Sequence, residues 1–296
     1  MSKLTAFLRL TRPANIVTSV ADILAGIAIS GFFTHGIFHN RTYADVVLLC
    51  LATVGLYGGG IVYNDIFDAE LDKIERPERP IPSGIITLKE ATIFGSLLLL
   101  GGIICASMVG FYPGILAVQI TVFALTYDKW GKHHSWIGPI NMGICRGLNL
   151  LLGISILGLS LEKAWFVFFV PLIYIASITM ISRGEVHGGK KTTLQVAALL
   201  YSGVIAIILF LAYQMEHVLP ALLFLLPFAW FIFKPLSRAM KEPIGKNIGK
   251  AVKAGVIALI LMDAAWAAAF GAYYAAFFIA LLLPLSVKLA KIFAVT

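Results

Sequence analysis

Apolar residues run through this chain in long continuous stretches, and most charged residues fall between them. The stretches occupy residues 14–34, 44–63, 91–111, 113–127, 137–160, 163–181, 194–213, 217–233, 251–270 and 272–290. The hydrocarbon core of a bilayer takes about 20 mostly apolar residues per helical crossing, so each stretch is a candidate transmembrane helix. Nine crossings follow directly. A tenth requires the run from Ala254 to Val287 to turn back near Gly271, because that run is too long for one helix in a bilayer about 30 Å thick. Transmembrane strands would instead alternate apolar and polar residues over segments of about ten. The pattern predicts an all-α, polytopic transmembrane helical bundle of nine or ten spans, with residues 1–296 forming a single domain. No small-residue cleavage site follows the first span, which is expected to be retained.

Composition supports this reading. Hydrophobic residues make up 59% of the chain and charged residues 13%, with a mean hydropathy of +0.91, against roughly 45–50% and about 25% in soluble domains. A net charge of +8 would suit a nucleic-acid partner if it formed one soluble patch, but the basic residues lie in short loops between spans. The positive-inside bias of membrane proteins explains them, so membrane lipid is the expected partner and nucleic acid is not. With a cytoplasmic N-terminus, the cytoplasmic loops hold Lys73, Arg76, Arg79 and Lys89, then Lys129 and Lys132, then Arg183, Lys190 and Lys191, then Lys234 through Lys253. The opposite loops offer Arg41 and Lys163, and Lys288 and Lys291 obey the bias only with an even number of spans. Cys50, Cys105 and Cys145 stand singly within apolar spans, without the spacing of a zinc site or a disulfide framework, and are read as packing residues.

One polar segment carries chemistry. The second span ends in Tyr63-Asn64-Asp65-Ile66-Phe67-Asp68-Ala69-Glu70-Leu71-Asp72 and runs into Arg76-Pro77-Glu78-Arg79-Pro80-Ile81-Pro82-Ser83-Gly84. On a continuous helix Asn64, Asp68 and Asp72 share one face, with Asp65 beside them. Carboxylates stacked in this way repel unless a cation lies between them. Mg²⁺ takes oxygen ligands and is commonly held by one or two carboxylates together with substrate phosphates, and Arg76 and Arg79 follow to meet phosphate charge.

The segments NDxxDxxxD and RPxRPxPSG resemble the first Asp-rich motif of the UbiA superfamily of intramembrane prenyltransferases. Arg12-Pro13 is similar to the family's early Arg-Pro, Tyr127 to His133 resembles its Tyr-Pro-x-x-Lys-Arg loop with His133 in place of Arg, and the span count fits its nine-helix fold. The family's second Asp-rich motif aligns with Ile181-Ser182-Arg183-Gly184-Glu185-Val186-His187-Gly188-Gly189, where Glu185 stands for one Asp and Ile181 replaces the other. The SRGEVHGG loop looks like that of the EboC-type branch. The resemblance implies Mg²⁺-dependent transfer of an isoprenyl group from a prenyl diphosphate donor to an aromatic or lipid-like acceptor of unknown identity. It implies Asn64, Asp65, Asp68, Asp72 and Glu185 as metal ligands, with Asp68, Asp72 and Glu185 catalytic. Arg76, Lys132, Arg183, Lys190 and Lys191 would bind diphosphate, and His187 would serve as ligand or base. The expected setting is the cytoplasmic face of a bacterial cell membrane.

Three charges lie inside spans, where they are costly and face a partner or a cavity: Asp22, Arg146 and Asp263. Two readings stay open for Arg146. It forms an interhelical ion pair with Asp22, or with Asn149 it lines the substrate cavity as a catalytic residue that binds diphosphate or an acidic acceptor. Gly58-Gly59-Gly60 is read as a packing motif, since no Lys-Ser/Thr of a phosphate loop follows. A transporter, or an isoprenoid-binding protein without turnover, is the alternative function. Transporters commonly bind substrate near the midplane, whereas the dense charge here gathers at one membrane face.

Overall fold

The computed structural model describes residues 2–34 and 42–293; Arg41 lies outside them. Each of the ten apolar stretches holds a helix. The helices are α1 (Lys3–Thr11), α2 (Pro13–Ile29), α3 (Tyr43–Phe67), α4 (Ala69–Glu75), α5 (Leu88–Val109), α6 (Phe111–Lys129) and α7 (Ile137–Ile154), followed by α8 (Gly158–Ala164), α9 (Phe169–Ser182), α10 (Lys191–Gln214), α11 (Val218–Lys241), α12 (Gly245–Ala269), α13 (Tyr273–Ala280) and α14 (Leu282–Ile292). Among the described residues eight helices are long and apolar enough to cross a membrane, or nine when α1 and α2, bent by 45°, count as one span. Helix α6 has 19 residues, about 28 Å at 1.5 Å per residue, and its end meets the end of α3 through Asn64 and Asp128. The run after Ala254 does turn back, because Gly271 adopts φ +78°, a conformation that costs glycine little. The helices after the turn return beside α12, where the Lys253 ammonium donates to the carbonyl of Ala290.

The bundle is held by close approach of small residues. A Cβ on Gly26 would lie 2.3 Å from the carbonyl oxygen of Leu150, and one on Gly153 would lie 2.4 Å from that of Ile23. Helices α2 and α7 therefore pack backbone to backbone, the contact by which small residues associate membrane helices. Gly26→Ala is expected to lower stability in detergent by about 1–3 kcal/mol, the usual cost of overpacking. Gly101→Ala, whose Cβ meets nothing within 4 Å, serves as the matched control in a thermal-unfolding measurement. Equal stability of the two variants would refute the tight α2–α7 contact.

Helix α12 is buried along most of its length, from Ile257 to Ala269, and α7 nearly as much. In contrast, Leu97 and Ile104 on α5, Leu199 and Phe210 on α10, and Leu219, Leu223 and Trp230 on α11 are exposed apolar side chains. An apolar outer surface of this kind faces lipid, not water. The inner helices α2, α3, α6, α7, α9 and α12 surround a cavity of about 430 Å³.

Candidate active site

The cavity has a charged mouth and an apolar wall. Its mouth is lined by Arg12, Asn64, Asp68, Arg76, Arg79, Asp128, Lys132 and Glu185, and its wall by Leu56, Ile61, Ile120, Ala124, Ile175, Ile178 and Leu259. Local breaks in the helices place the mouth residues. Arg12 sits between α1 and α2 with φ 46°, a left-handed conformation costing roughly 1–2 kcal/mol for a residue with a Cβ. Pro13 then opens α2 at the first helical position, where its missing N–H is not needed. The bend lets the Arg12 guanidinium reach Asp65 at 2.8 Å, a charge-assisted contact that offsets the strain.

The acidic helix end differs from a single ligand face. Helix α3 stops at Phe67, and Asp68 (φ −90°, ψ 0°) links it to α4. The Pro-rich turn that follows swings Arg79 back over this junction, where it contacts Asp72 at 2.7 Å and Asp65 at 3.2 Å. Asp65 and Asp72 keep only 7% and 3% of their side chains exposed, whereas Asp68 keeps 22%. Asp68 therefore faces the cavity, ion-paired to Lys132, while Asp65 and Asp72 are buried behind it on Arg12 and Arg79. The expected stacking of all four oxygen-bearing side chains on one face is corrected here, because the bend at Asp68 and the returning Arg79 divide the set.

The loop after α9 is divided too. Glu185 and Val186 line the cavity, and Oε1 of Glu185 is buried without a hydrogen-bond partner. Burial raises the Glu185 carboxyl above its usual value, and the charge of Arg76 opposes that rise. Arg183, Lys190 and Lys191 do not line the cavity, contrary to the expectation that they gather on the diphosphate, and neither does His187, expected as a ligand or base. Arg183 turns outward and donates to the carbonyl of His134 at 2.6 Å. Gly188 adopts φ +83° and the Gly189 N–H donates to the carbonyl of Pro243, so the chain leaves the mouth before it reaches Lys190 and Lys191.

The ion pair expected of Arg146 forms, its Nε lying 2.5 Å from Oδ2 of Asp22, and its side chain also reaches the cavity. It stands deep in the cavity, beside Tyr57, Thr53 and Asn149, away from the mouth.

Two mouth residues, Asp128 and Arg12, were not singled out as ligands or catalytic groups from the sequence, and Arg79, expected to meet phosphate charge, is held on Asp65 and Asp72. Asp128 is 3% exposed and accepts from the Asn64 amide at 2.9 Å. Arg12 and Arg79 hold the buried acids. Asp128 and Lys132 are spaced i, i+4 beside the second cytoplasmic loop, but only the packing of α6 on α3 turns Asp128 toward Asn64.

Among the described residues no group of three or more His, Cys, Asp or Glu side chains is close enough to hold a metal ion by itself. The donor set nevertheless suits Mg²⁺, a hard cation that takes one or two carboxylates and completes its shell with phosphate oxygens and water. Asn64, Asp68 and the unpartnered Oε1 of Glu185 present such oxygens to one cavity.

Digeranylgeranylglyceryl phosphate synthase from Methanocaldococcus jannaschii is 31% identical to this chain over 192 residues, which is 64% of this chain and 65% of the relative. The chain thus spans just under two thirds of that curated relative. An apo structure of a UbiA homologue from Aeropyrum pernix matches with a TM-score of 0.70 at 18% identity, covering 84% of this chain and 96% of the other. A UbiA homologue from Archaeoglobus fulgidus, solved with DMAPP and Mg²⁺, matches with a TM-score of 0.59 at 15% identity, covering 86% and 98%. At these identities the likeness to both structures establishes the shared fold. The named relatives are archaeal and lend no support to a bacterial membrane. Residues 23–247, most of the chain, match the UbiA prenyltransferase family, and this match, joined to the shared fold, establishes that the chain belongs to that family.

Proposed function

We propose that this protein transfers an isoprenyl group from a prenyl diphosphate to a lipid-like or aromatic acceptor within the membrane. The observation that carries this reading is the single cavity in which Arg12, Arg76, Arg79 and Lys132 surround the mouth while Ile120, Ile175, Ile178 and Leu259 line the wall. A cavity of that polarity fits an amphiphile with a polyanionic head and a hydrocarbon tail. The synthase relatives, named for a product bearing prenyl groups on glyceryl phosphate, favour the lipid-like acceptor over the aromatic one. The basic loops at the mouth favour a cytoplasmic side for it. The EboC-like resemblance is carried by the SRGEVHGG loop alone.

The C1–O bond of the donor breaks with its electron pair going to the diphosphate, the acceptor nucleophile bonds to C1, and the acceptor loses its proton. Mg²⁺ held by Asn64, Asp68 and Glu185 would neutralise the departing diphosphate. Lys132, paired with Asp68, and Arg76 would supply charge-assisted hydrogen bonds to the phosphate oxygens. Arg12 and Arg79 keep Asp65 and Asp72 buried, so that these acids hold the cations in position beside the diphosphate. The apolar wall keeps water from the allylic fragment, and the ring face of Tyr127, next to Asp128 in the cavity lining, stabilises its positive charge. Asp128, fixed by Asn64, is the mouth carboxylate placed to take the acceptor proton.

Purified protein in detergent, supplied with labelled geranylgeranyl diphosphate and a panel of phenols and prenylglyceryl phosphates, is expected to form prenylated product with Mg²⁺ and none with EDTA. Product that persists undiminished in EDTA would remove the metal from the mechanism. Passage of an intact substrate across liposome membranes without product would favour a transporter.

A further inference from the structure

The inner end of the cavity is polar, although it lies among the middle turns of the membrane helices. Thr53, Tyr57, Arg146 and Asn149 line it, and Asp22 and Asp263 lie behind them, each 1% exposed. Tyr57 is seven residues before Asn64 on α3, about 10 Å along the helix axis, so this floor is separated from the diphosphate-binding mouth. We propose that the floor is a second subsite, which binds an uncharged oxygen of the acceptor, a hydroxyl or carbonyl remote from the atom that is prenylated. The proposal rests on the reading of this cavity as a prenyl-transfer site.

Hydrogen-bond bookkeeping identifies the kind of group the floor takes. Both amide protons of Asn149 are used: they go to the carbonyl of Ser19 at 2.9 Å and to Asp22 at 3.0 Å, and its oxygen accepts from the Thr53 hydroxyl at 2.7 Å. These bonds hold Asp22 against Arg146. Arg146 is 4% exposed, its guanidinium lies 5.8 Å from the centre of the Tyr57 ring, and its Nη2 is buried without a partner. The guanidinium carries donors only, so the complementary group is an oxygen acceptor.

The charge balance decides between a neutral and an anionic oxygen. The guanidinium is already paired with Asp22, so an anion entering the floor meets no cation left to balance it, and burying an uncompensated charge is heavily penalised. The mouth, with Arg12, Arg76, Arg79 and Lys132, is the place for anions. A prenyl tail laid on the floor would leave polar groups facing hydrocarbon, which is also penalised. The tail is therefore directed along the wall of Ile120, Ile175 and Leu259, and the floor is left to the acceptor. An unbranched hydrocarbon acceptor gains nothing there.

The test uses the full chain in detergent with Mg²⁺, and three aromatic probes of similar size: naphthalene, 2-naphthol and 2-naphthoate, their affinities measured by calorimetry. Expected is binding of 2-naphthol at least about tenfold tighter than either of the others, since a hydrogen bond to a charged group contributes about 1.5–3 kcal/mol. Arg146→Gln and Tyr57→Phe should each bring 2-naphthol toward the affinity of naphthalene. If Arg146→Gln does not fold, the neutralised variant Asp22→Asn/Arg146→Gln/Asp263→Asn replaces it with the same expectation. Equal affinity for naphthol and naphthalene, tightest binding of naphthoate, or a preference that survives both substitutions would overturn the proposal. Mg²⁺-dependent binding of geranylgeranyl diphosphate is measured alongside. Its absence in the wild type would overturn the prenyl-transfer reading and with it the acceptor role of the floor. Its retention in Tyr57→Phe with loss of the naphthol preference supports two separate subsites.

Discussion

Asp68→Asn is expected to lower the rate of prenyl transfer by at least about a hundredfold, in line with the loss of one preorganised electrostatic group from an active site, while the protein stays folded. Asp68 is the one carboxylate of the acidic helix end that faces the cavity, with 22% of its side chain exposed and Lys132 as its partner. Removing its charge breaks an ion pair that is partly exposed and carries little of the fold. The change should therefore appear in turnover and in Mg²⁺-dependent diphosphate binding, with the thermal midpoint nearly unaltered. Asp72→Asn makes the informative contrast. Asp72 is buried on Arg79, so its substitution should cost stability as well as activity. Undiminished turnover of Asp68→Asn in an assay with labelled geranylgeranyl diphosphate would remove this residue from the site.

The second large effect concerns the charges inside the membrane. Arg146→Leu is expected to destabilise the protein by about 3–5 kcal/mol, because it leaves Asp22 and Asp263 buried without their cation. Asp22 retains the Asn149 amide and its contact with Asp263, and one side-chain oxygen of each acid has no partner. The neutralised variant Asp22→Asn/Arg146→Leu/Asp263→Asn should recover most of that loss, since replacing a buried charged set together is far cheaper than breaking it. Thermal unfolding in detergent with tryptophan fluorescence measures both. An Arg146→Leu protein as stable as the wild type would show that the three charges are not energetically linked.

Together these two results would divide labour within one cavity. The mouth holds charges that the substrate can reach. The floor holds charges compensated within the protein, which orient hydrogen-bond donors. The two are joined by α3, which carries Thr53 and Tyr57 in its middle turns and Asn64 near its end, and by α7, which carries Arg146 and Asn149 against α2.

Much of this protein was already decided by its local sequence. The ten apolar stretches became helices because a backbone in hydrocarbon must satisfy its own hydrogen bonds, and Gly271 ended the long run because a turn with positive φ costs glycine least. The acidic cluster beside a Pro-rich basic turn marked the chemical end of the bundle for the same local reason. Which acids face the substrate was decided by contacts between segments distant in the chain. Arg12 reaches Asp65 across 53 positions, and Asn64 reaches Asp128 across 64. The bend at Asp68 brings Arg79 over Asp65 and Asp72. Period-3.6 reasoning extends a helix face through Asp72, but it contains no term for a cation that returns from a later turn. Arg183, Lys190 and Lys191 share the mouth's loops by sequence, but a hydrogen bond to the His134 carbonyl holds Arg183 off the cavity, and a positive-φ glycine and one hydrogen bond to Pro243 carry the chain away before the two lysines. The order of helices and the location of charge are local properties, governed by hydrophobic length and turn chemistry. The direction of each side chain at the cavity depends on the simultaneous packing of six helices, and only the tertiary structure supplies it.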